Sequence, residues 1–314
     1  KSVTYENLKL RDVRYGREVN SGYANLVRKE QGFDIPEDPA PPPMFTPYRL
    51  RDLVLQNRVV VSPMCQYSAN DGTPTDWHLV HLGGFAVGGA GLVYAEMTNV
   101  SAAGRITPGC AGMYKPEHVE AWKRVTSFIH QNSRAKICIQ LAHAGRKGST
   151  KYPWHGEDEP LENGNWPLIS ASPLPYKEFN QVPKEMTRDD MDDVLDSFVR
   201  ATRMAEEAEF DMIEIHMAHG YLLSSFISPV SNVRRDEYGG ELVNRLKFPV
   251  EILKAVRSVW PNSKPISCRI SATDWLVSGG LTGEDAVDVA KLLYENGCDI
   301  IDVSAGQTTP QAKP

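Results

Sequence analysis

Six short apolar segments, separated by stretches of helical character, constrain the fold of this chain more than any other feature. Strands are predicted at 59–61, 92–97, 137–141, 212–216, 266–270 and 300–303. Helices are predicted between them at 76–87, 116–132, 188–208, 241–258 and 283–296. Buried strands that alternate with helices indicate a parallel sheet. Because no Gly-x-Gly-x-x-Gly motif is present, the pattern favours an α/β fold of the (β/α)₈ TIM-barrel type over a doubly wound fold.

The domain organisation follows from one change in composition. Residues 1–43 are charged and weakly periodic, end in a proline-rich linker, and are expected to form an N-terminal arm. The barrel domain is predicted over 44–314, and because only six of eight βα units are recognised, the barrel is expected to stop after the sixth strand. The stretch 146–186 is too long for a plain connection and is expected to shape a substrate site.

Charge and cysteine content exclude several classes of protein. The net charge is 34 − 40 = −6, which argues against a nucleic-acid partner. No apolar run reaches the roughly 18–20 residues of a membrane helix, so no membrane partner is expected. Five widely spaced cysteines without a CxxC pair argue against a disulfide framework and favour a cytoplasmic location.

Polar side chains interrupt three of the predicted strands on one face only. Because side chains alternate along a strand, Gln140, His216 and Arg269 are expected inside the barrel, at the carboxyl ends where barrel active sites lie. A buried arginine needs an anion or several acceptors. Arg269 could therefore form an ion pair with Glu214 or Glu96, or it could donate to one edge of a planar polar ligand.

The fourth strand continues into a segment with two histidines and a tyrosine. His216 and His219 could bind zinc, but no third ligand stands out, and no metal site is predicted. They could instead donate hydrogen bonds to one carbonyl or phenolate oxygen, and Tyr221 could donate a proton to a developing carbanion. Alternatively, His219 could cap the following helix and Tyr221 could be a core residue.

Four longer motifs together carry a family resemblance. They are Asn57 to Tyr67, Gln140 to Lys147, His216 to Tyr221, and Phe226 to Asn232 continuing into Asp236 to Gly240. In this order, and over about residues 44–310, the chain resembles the old yellow enzyme family of FMN-dependent ene reductases and NAD(P)H:flavin oxidoreductases. Cys65, Tyr67 and His219 are similar to residues of its bacterial and thermophilic subgroup.

The resemblance implies a set of cofactor and substrate contacts. FMN would be bound non-covalently, with NAD(P)H as the reductant. The implied flavin contacts are Ser62, Pro63, Met64, Cys65, Met97, Gln140 and Arg269, with Cys65 near the N5/C4 edge, Gln140 at the pyrimidine edge, Arg269 at the N1/O2 edge, and Met97 where small residues are common. His216 and His219 would hold the substrate oxygen, Tyr221 would be the proton donor, and Tyr67 and Lys147 would border the substrate.

The implied reaction is the reduction of an activated C=C bond in an enone or an aromatic-derived substrate by a homo-oligomer. One alternative is the reductase part of a fused aromatic acyl-CoA hydroxylase, acting on a dearomatised CoA thioester, because Tyr5 to Asp12 looks similar to the connector of such bifunctional proteins. A second alternative is a non-catalytic remnant, because no phosphate-binding half of the flavin site is recognised in the sequence.

Overall fold

The computed structural model describes residues 13–312, whose centre is a six-stranded parallel sheet curled into a half-barrel. The strand order is β10-β9-β8-β5-β4-β3, so sequential βα units lie side by side. The strands are β1 Tyr48–Leu50, β2 Leu53–Leu55, β3 Val60–Val61, β4 Leu92–Asn99, β5 Lys136–Ala142, β6 Ile169–Ser170, β7 Lys184–Glu185, β8 Met212–Met217, β9 Ile266–Ser271 and β10 Ile300–Ser304. The predicted α/β fold of the barrel type is confirmed.

Nine α-helices lie within residues 13–312, and most of them pack against the convex face of this sheet. They are α1 Val13–Gln31, α2 Asp76–Val87, α3 Pro116–Asn132, α4 Pro153–Gly156, α5 Arg188–Glu207, α6 Leu222–Ile227, α7 Leu242–Arg245, α8 Lys247–Val259 and α9 Gly283–Glu295. The single helix predicted over 241–258 is wrong, because the chain forms α7 and α8 with Leu246 between them. Pro249 has no N–H to donate to the carbonyl of Arg245, which removes one hydrogen bond of a continuous helix at this point.

Hydrogen bonds within a few residues fix the N-termini of two helices, α5 and α9. Thr187 accepts a hydrogen bond from the backbone of Asp190, and the Asp190 carboxylate accepts one from the backbone of Thr187. Thr282 and Asp285 form the same reciprocal box at α9. Both helix starts were predicted from the sequence, and each cap of this kind contributes about 1 kcal/mol.

The sheet separates two cores. On its convex face, the apolar residues of β5, β8 and β9 pack against helix side chains such as Trp122, Phe198 and Phe248. On the concave face, the lowest layer of side chains, at the amino-terminal end of the sheet, packs against the β1–β2 hairpin. Leu53 and Leu55 belong to the hairpin, and Leu92, Tyr94, Cys138 and Met212 belong to the sheet. A cavity of about 420 Å³ lies beside this layer, between the edge strands β3 and β10. The hairpin therefore closes the amino-terminal end of the half-barrel interior.

A β-bulge in β4 changes which side chains face inward. Tyr94 is in register with Cys138, and Met97 is in register with Gln140, so β4 has one residue more than β5 between these pairs. Such an extra residue shifts the alternation of side chains. Met97 consequently shares the concave face with Gln140, and Glu96 reaches the other side, where it contacts His78 of α2.

The arm before the barrel contains a helix that the sequence analysis did not predict. The side chain of Gln31, the last residue of α1, accepts a hydrogen bond of 2.7 Å from the backbone of Arg49 in β1. The Arg58 guanidinium lies over the ring of Tyr23 at 5.2 Å. The connector-like stretch Tyr5 to Asp12 lies outside the described residues. Within 13–312, no helix combines the length and the apolar character that crossing a bilayer requires.

Candidate active site

The predicted site residues of the central strands lie together at the carboxyl edge of the sheet. Met97 is in register with Gln140, and His216 is in register with Arg269 on the adjacent strand. The segment 62–65 follows β3 directly, with Ser62 and Met64 exposed. Five neighbouring strands thus bring side chains to this edge of the sheet, and strand alternation predicted the three that carry Gln140, His216 and Arg269.

The middle of the concave face holds a buried carboxyl group. Glu214 accepts hydrogen bonds from Gln140 Nε2 at 2.8 Å and from Ser267 Oγ at 2.6 Å. Burial raises the pKa of Glu214 to about 8, and the nearby Asp302 charge acts in the same direction. Glu214 is therefore mostly protonated at neutral pH, and its hydrogen bond holds the side-chain amide of Gln140 in one orientation.

Arg269 has a different acidic neighbour from the two that the sequence suggested. Its Nε lies 3.4 Å from Asp302 Oδ2 of β10, while Glu96 is engaged with His78. Asp302 lies opposite Arg269 in the β9–β10 register, so the pair forms only when β10 joins the sheet. Burial raises the pKa of Asp302, and the Arg269 charge lowers it.

The Arg269 Nε also meets the requirement for a flavin ligand. It is buried, and its 3.4 Å contact with Asp302 is an ion pair without hydrogen-bond geometry, so it makes no hydrogen bond among residues 13–312. A donor left without an acceptor is costly in a folded protein. The electron-rich N1/O2 edge of an isoalloxazine would supply the missing acceptor, so the residues at this strand end fit FMN.

The two histidines are in contact, but they form a chain. His216 Nδ1 accepts a hydrogen bond of 3.1 Å from the backbone of Ala218, so its proton is assigned to Nε2. That nitrogen lies 3.2 Å from His219 Nδ1, and His219 Nε2 lies 2.6 Å from Ser304 Oγ. The order of donors is therefore His216 to His219 to Ser304. The expected pair of free, converging donors is not what this geometry presents, and a substrate oxygen has to replace one of these contacts.

Both imidazoles are neutral at physiological pH. Burial lowers the pKa of His216 well below its usual range. Burial also lowers the pKa of His219 to about 3, and the charges of Arg269 and Lys147 act in the same direction. The helix-cap interpretation of His219 is wrong, because α6 takes Tyr221 as its N-cap. No group of three or more His, Cys, Asp or Glu residues within 13–312 is arranged to hold a metal ion.

Tyr221 lies directly against the histidines. Its ring is perpendicular to that of His216, with 4.9 Å between the centroids. Burial raises the pKa of the Tyr221 hydroxyl well above its usual value, so the proton is retained. The turn before it needs Gly220, which has φ +74° and where a Cβ would lie 2.9 Å from the Gln307 carbonyl oxygen.

Lys147 lies beside this group on the turn after β5. Its ammonium donates to the carbonyl oxygens of His219 and Gln307, both at 3.1 Å, and sits 4.3 Å from the centroid of the Tyr176 ring. Burial lowers the pKa of Lys147 to about 8.

The insertion 146–186 supplies an aromatic wall beside the site, and the sequence did not indicate which of its rings contact Tyr67. Tyr67, with φ +51°, packs edge-on against Trp154 at 6.2 Å, and Tyr152 stacks on Trp154 at 5.1 Å. Clustered Trp and Tyr between predicted elements was the available signal, but which rings meet Tyr67 depends on the path of the insertion. Cys65 is half-buried beside this wall, and burial raises the pKa of its thiol.

A half-barrel with polar side chains at its strand ends and a neutral His-His-Tyr group is typical of a barrel-type flavin oxidoreductase. Residues 43–313 match the sequence model of the NADH:flavin oxidoreductase / NADH oxidase family, and the chain belongs to this family. The predicted membership of the old yellow enzyme group is confirmed. The protein is thus an NAD(P)H-dependent flavin oxidoreductase with FMN as its cofactor.

Relatives and solved structures agree with this assignment. The chain is 42% identical over 283 residues to the NADH:flavin oxidoreductase FG08077 of Gibberella zeae, covering 86% of this chain and 68% of that protein. It is 44% identical over 269 residues to an NADPH dehydrogenase of Geobacillus sp., covering 85% and 74%. The structure of morphinone reductase in complex with tetrahydroNAD superposes with a TM-score of 0.72 at 26% identity, covering 84% of this chain and 74% of that chain.

Proposed function

We propose that this protein reduces the activated C=C bond of an α,β-unsaturated carbonyl compound. The observation that carries the proposal is the contact of two neutral histidines with a protonated tyrosine at the strand ends. When bound, FMN supplies hydride transfer from NAD(P)H to the β-carbon of the alkene. The protein side chains then have to hold the carbonyl oxygen and deliver one proton to the α-carbon.

The cofactor is expected to lie across the carboxyl edge of the sheet. Ser62, Pro63, Met64 and Cys65 would line one side, with Met97 and Gln140 beneath. The Arg269 guanidinium would donate to the N1/O2 edge. The support for this orientation is the Arg269 Nε, which makes no hydrogen bond within 13–312 and only an ion-pair contact with Asp302, and the register that aligns Met97 with Gln140.

The substrate oxygen would accept hydrogen bonds from the histidines. His216 can donate from Nε2 and His219 from its own Nε2, once the oxygen replaces the His219 and Ser304 acceptors respectively. Because both rings are neutral, they stabilise developing negative charge without losing a proton to the product. Lys147 and Tyr67 would border the same substrate.

Tyr221 would complete the reaction as the general acid. Hydride addition leaves an electron pair on the α-carbon and the carbonyl oxygen, and the Tyr221 O–H supplies the proton that forms the new α-C–H bond. The tyrosinate is then reprotonated from solvent. The support is the position of Tyr221 against His216 and its raised pKa, which keeps the acid form populated.

Three further expectations about oligomeric state, location and substrate remain predictions. They are the homo-oligomer, the cytoplasmic location, and the alternative of a dearomatised CoA thioester as substrate. The last depends on the stretch Tyr5 to Asp12, which lies outside the described residues.

The test separates the two halves of the reaction. FMN-loaded protein is reduced anaerobically with NADH or NADPH, and then mixed with 2-cyclohexen-1-one in a stopped-flow instrument while flavin absorbance is followed. We expect rapid reoxidation and one equivalent of cyclohexanone per flavin. Reduction by NAD(P)H without any enone-dependent reoxidation would contradict the proposal while leaving the family assignment intact.

A further inference from the structure

Glu96 is a buried carboxylate beside the site for which the proposed reaction has no role. It is 3% exposed and lies at the bulge of β4, which turns it away from the barrel interior. One carboxylate oxygen lies 2.6 Å from His78 Nε2. The other accepts a short hydrogen bond from the backbone N–H of Gln66. A buried carboxylate with both oxygens engaged is held in one orientation.

The direction of these hydrogen bonds is set by the helix that carries His78. His78 Nδ1 accepts from the backbone N–H of Thr75 at 2.9 Å, as part of the capping box of α2. The proton of the neutral ring is therefore on Nε2, and His78 donates to Glu96. The start of α2 thus orients His78, His78 orients Glu96, and Glu96 holds the Gln66 peptide.

Gln66 lies between two residues of the candidate site, Cys65 and Tyr67. The segment 62–67 is irregular, and Tyr67 has a left-handed backbone at φ +51°. Such a conformation costs about 1–2 kcal/mol for a residue other than glycine, and it persists only where neighbouring contacts enforce it. Trp77 Nε1 also donates to Gln66 Oε1 at 2.9 Å, so α2 holds Gln66 by its side chain and, through His78 and Glu96, by its backbone.

We propose that Glu96 and His78 are positioning residues, which hold Cys65 and Tyr67 against the cofactor and substrate through the Gln66 peptide. The negative charge of Glu96 adds a second effect, because it raises the pKa of the Cys65 thiol in addition to burial. The same carboxylate that fixes the segment therefore also raises the pKa of its cysteine, in the same direction as the larger effect of burial. The cofactor-facing part of this inference rests on the proposed function, but the effect on Cys65 does not.

The first experiment needs no cofactor. The other four cysteines are buried, so iodoacetamide added to the folded, FMN-free protein is expected to modify Cys65 first, and mass spectrometry gives the rate. We expect Glu96→Gln to alkylate about tenfold faster at pH 8, since each unit of lowered thiol pKa raises the thiolate fraction about tenfold. His78→Gln, which keeps the Glu96 charge but replaces the oriented imidazole donor with a flexible amide, should give a smaller increase. Glu120→Gln, an exposed Glu-to-Gln change in α3, should match the wild type.

The second experiment uses the FMN-loaded protein. Glu96→Gln should shift the midpoint potential and the visible spectrum of the flavin and raise the KM for enone more than it lowers kcat, whereas Glu120→Gln should change none of these. A carboxylate that only stabilises the fold would lower the melting temperature and leave these readouts unchanged.

The outcomes are distinguishable. Faster alkylation in both variants with no enone turnover in the wild type would support the positioning role and sink the proposed function. Folded Glu96→Gln and His78→Gln proteins that alkylate at the wild-type rate would overturn the positioning role. If Glu96→Gln does not fold, His78→Gln decides the question by the same measurement.

Discussion

The two faces of the parallel sheet use neighbouring residues for opposite purposes. On β8, Ile213 faces the helices in a continuous apolar core, and the next residue, Glu214, faces the half-barrel interior in a hydrogen-bonded polar layer. Along β5, β8 and β9, the convex face is lined by apolar side chains that pack against the helices. The concave face above its lowest layer gathers groups whose pKa values are shifted by burial, such as Glu214 and His216.

This contrast shows that residues on one face of a strand contribute to stability, whereas residues on the opposite face supply groups for chemistry. Burial of aliphatic side chains against helices contributes about 1.5–3 kcal/mol per residue. Burial of polar groups costs free energy unless each group is paired or neutral. Substitutions at adjacent positions of one strand should therefore separate the two properties.

The largest effect is expected on the concave side, at the proton donor. Tyr221→Phe keeps the ring and removes the proton, so flavin reduction should be nearly unchanged while enone reduction falls about 10²–10⁴-fold, which is typical of a positioned acid. Stopped-flow measurement of both half-reactions checks this. Substrates with strongly electron-withdrawing groups should be affected least, because their carbanions last long enough to take a proton from water. Wild-type rates with an ordinary enone would remove Tyr221 from the acid role.

On the convex side, Ile213→Ala should lower the free energy of unfolding by about 2–5 kcal/mol, because it leaves a cavity in the main core. Urea titration followed by circular dichroism measures the loss. The rate of enone reduction per bound flavin should stay within about twofold of the wild type. A large loss of turnover in the folded variant would show that the two faces are coupled, and so break the comparison.

Replacing either histidine should act on binding and chemistry more than on stability. His216→Ala or His219→Ala is expected to cost about 2.7–4 kcal/mol of transition-state stabilisation, the usual worth of one oriented donor. Phenol titrations followed by flavin absorbance should show weaker binding in both variants, with flavin reduction by NAD(P)H affected less. Because His216 donates to His219, His216→Ala should be the more severe. Unchanged phenol binding and turnover in both would exclude the role.

The smallest effect is expected for the neutral carboxyl group, and it depends on pH. The folded-state pKa of Glu214 is raised from 4.5 to about 8, so the folded protein binds a proton that the unfolded chain has released. The stabilising contribution of this proton is complete below about pH 4.5 and is lost as pH rises through about 8. Glu214→Gln mimics the protonated acid and should remove this loss. From pH 6 to the folded-state pKa of about 8 the loss is about 3 kcal/mol, since one pKa unit is worth about 1.4 kcal/mol. Urea titrations at pH 6 and pH 9 measure it, and equal pH dependence in both proteins would contradict the raised pKa.

Some features of the site could be predicted from local sequence alone. The alternation of side chains assigned Gln140, His216 and Arg269 to the concave face, because the two-residue period of a strand requires no knowledge of its neighbours. The Thr-x-x-Asp boxes that begin α5 and α9 were readable for the same reason. The long motifs carried the family, which residues 43–313 confirm.

Other features depended on contacts between distant segments. The bulge that turns Met97 inward and Glu96 outward exists only relative to the register of β5. Asp302 lies opposite Arg269 across the β9–β10 pairing, and the donor order from His216 to His219 ends at Ser304 of β10. None of these leaves a periodic trace in the sequence.

By itself, the sequence determined the fold type, the faces on which the residues of β5, β8 and β9 lie, and the identity of the groups available for chemistry. Tertiary structure decided which of those groups are partners, which are neutral, and which hydrogen bonds a substrate has to replace. The physical reason is the separation along the sequence over which each effect acts. Strand alternation and helix caps are set within a few residues, whereas desolvation and pairing arise from atoms that the fold brings together from as far apart as His219 and Ser304.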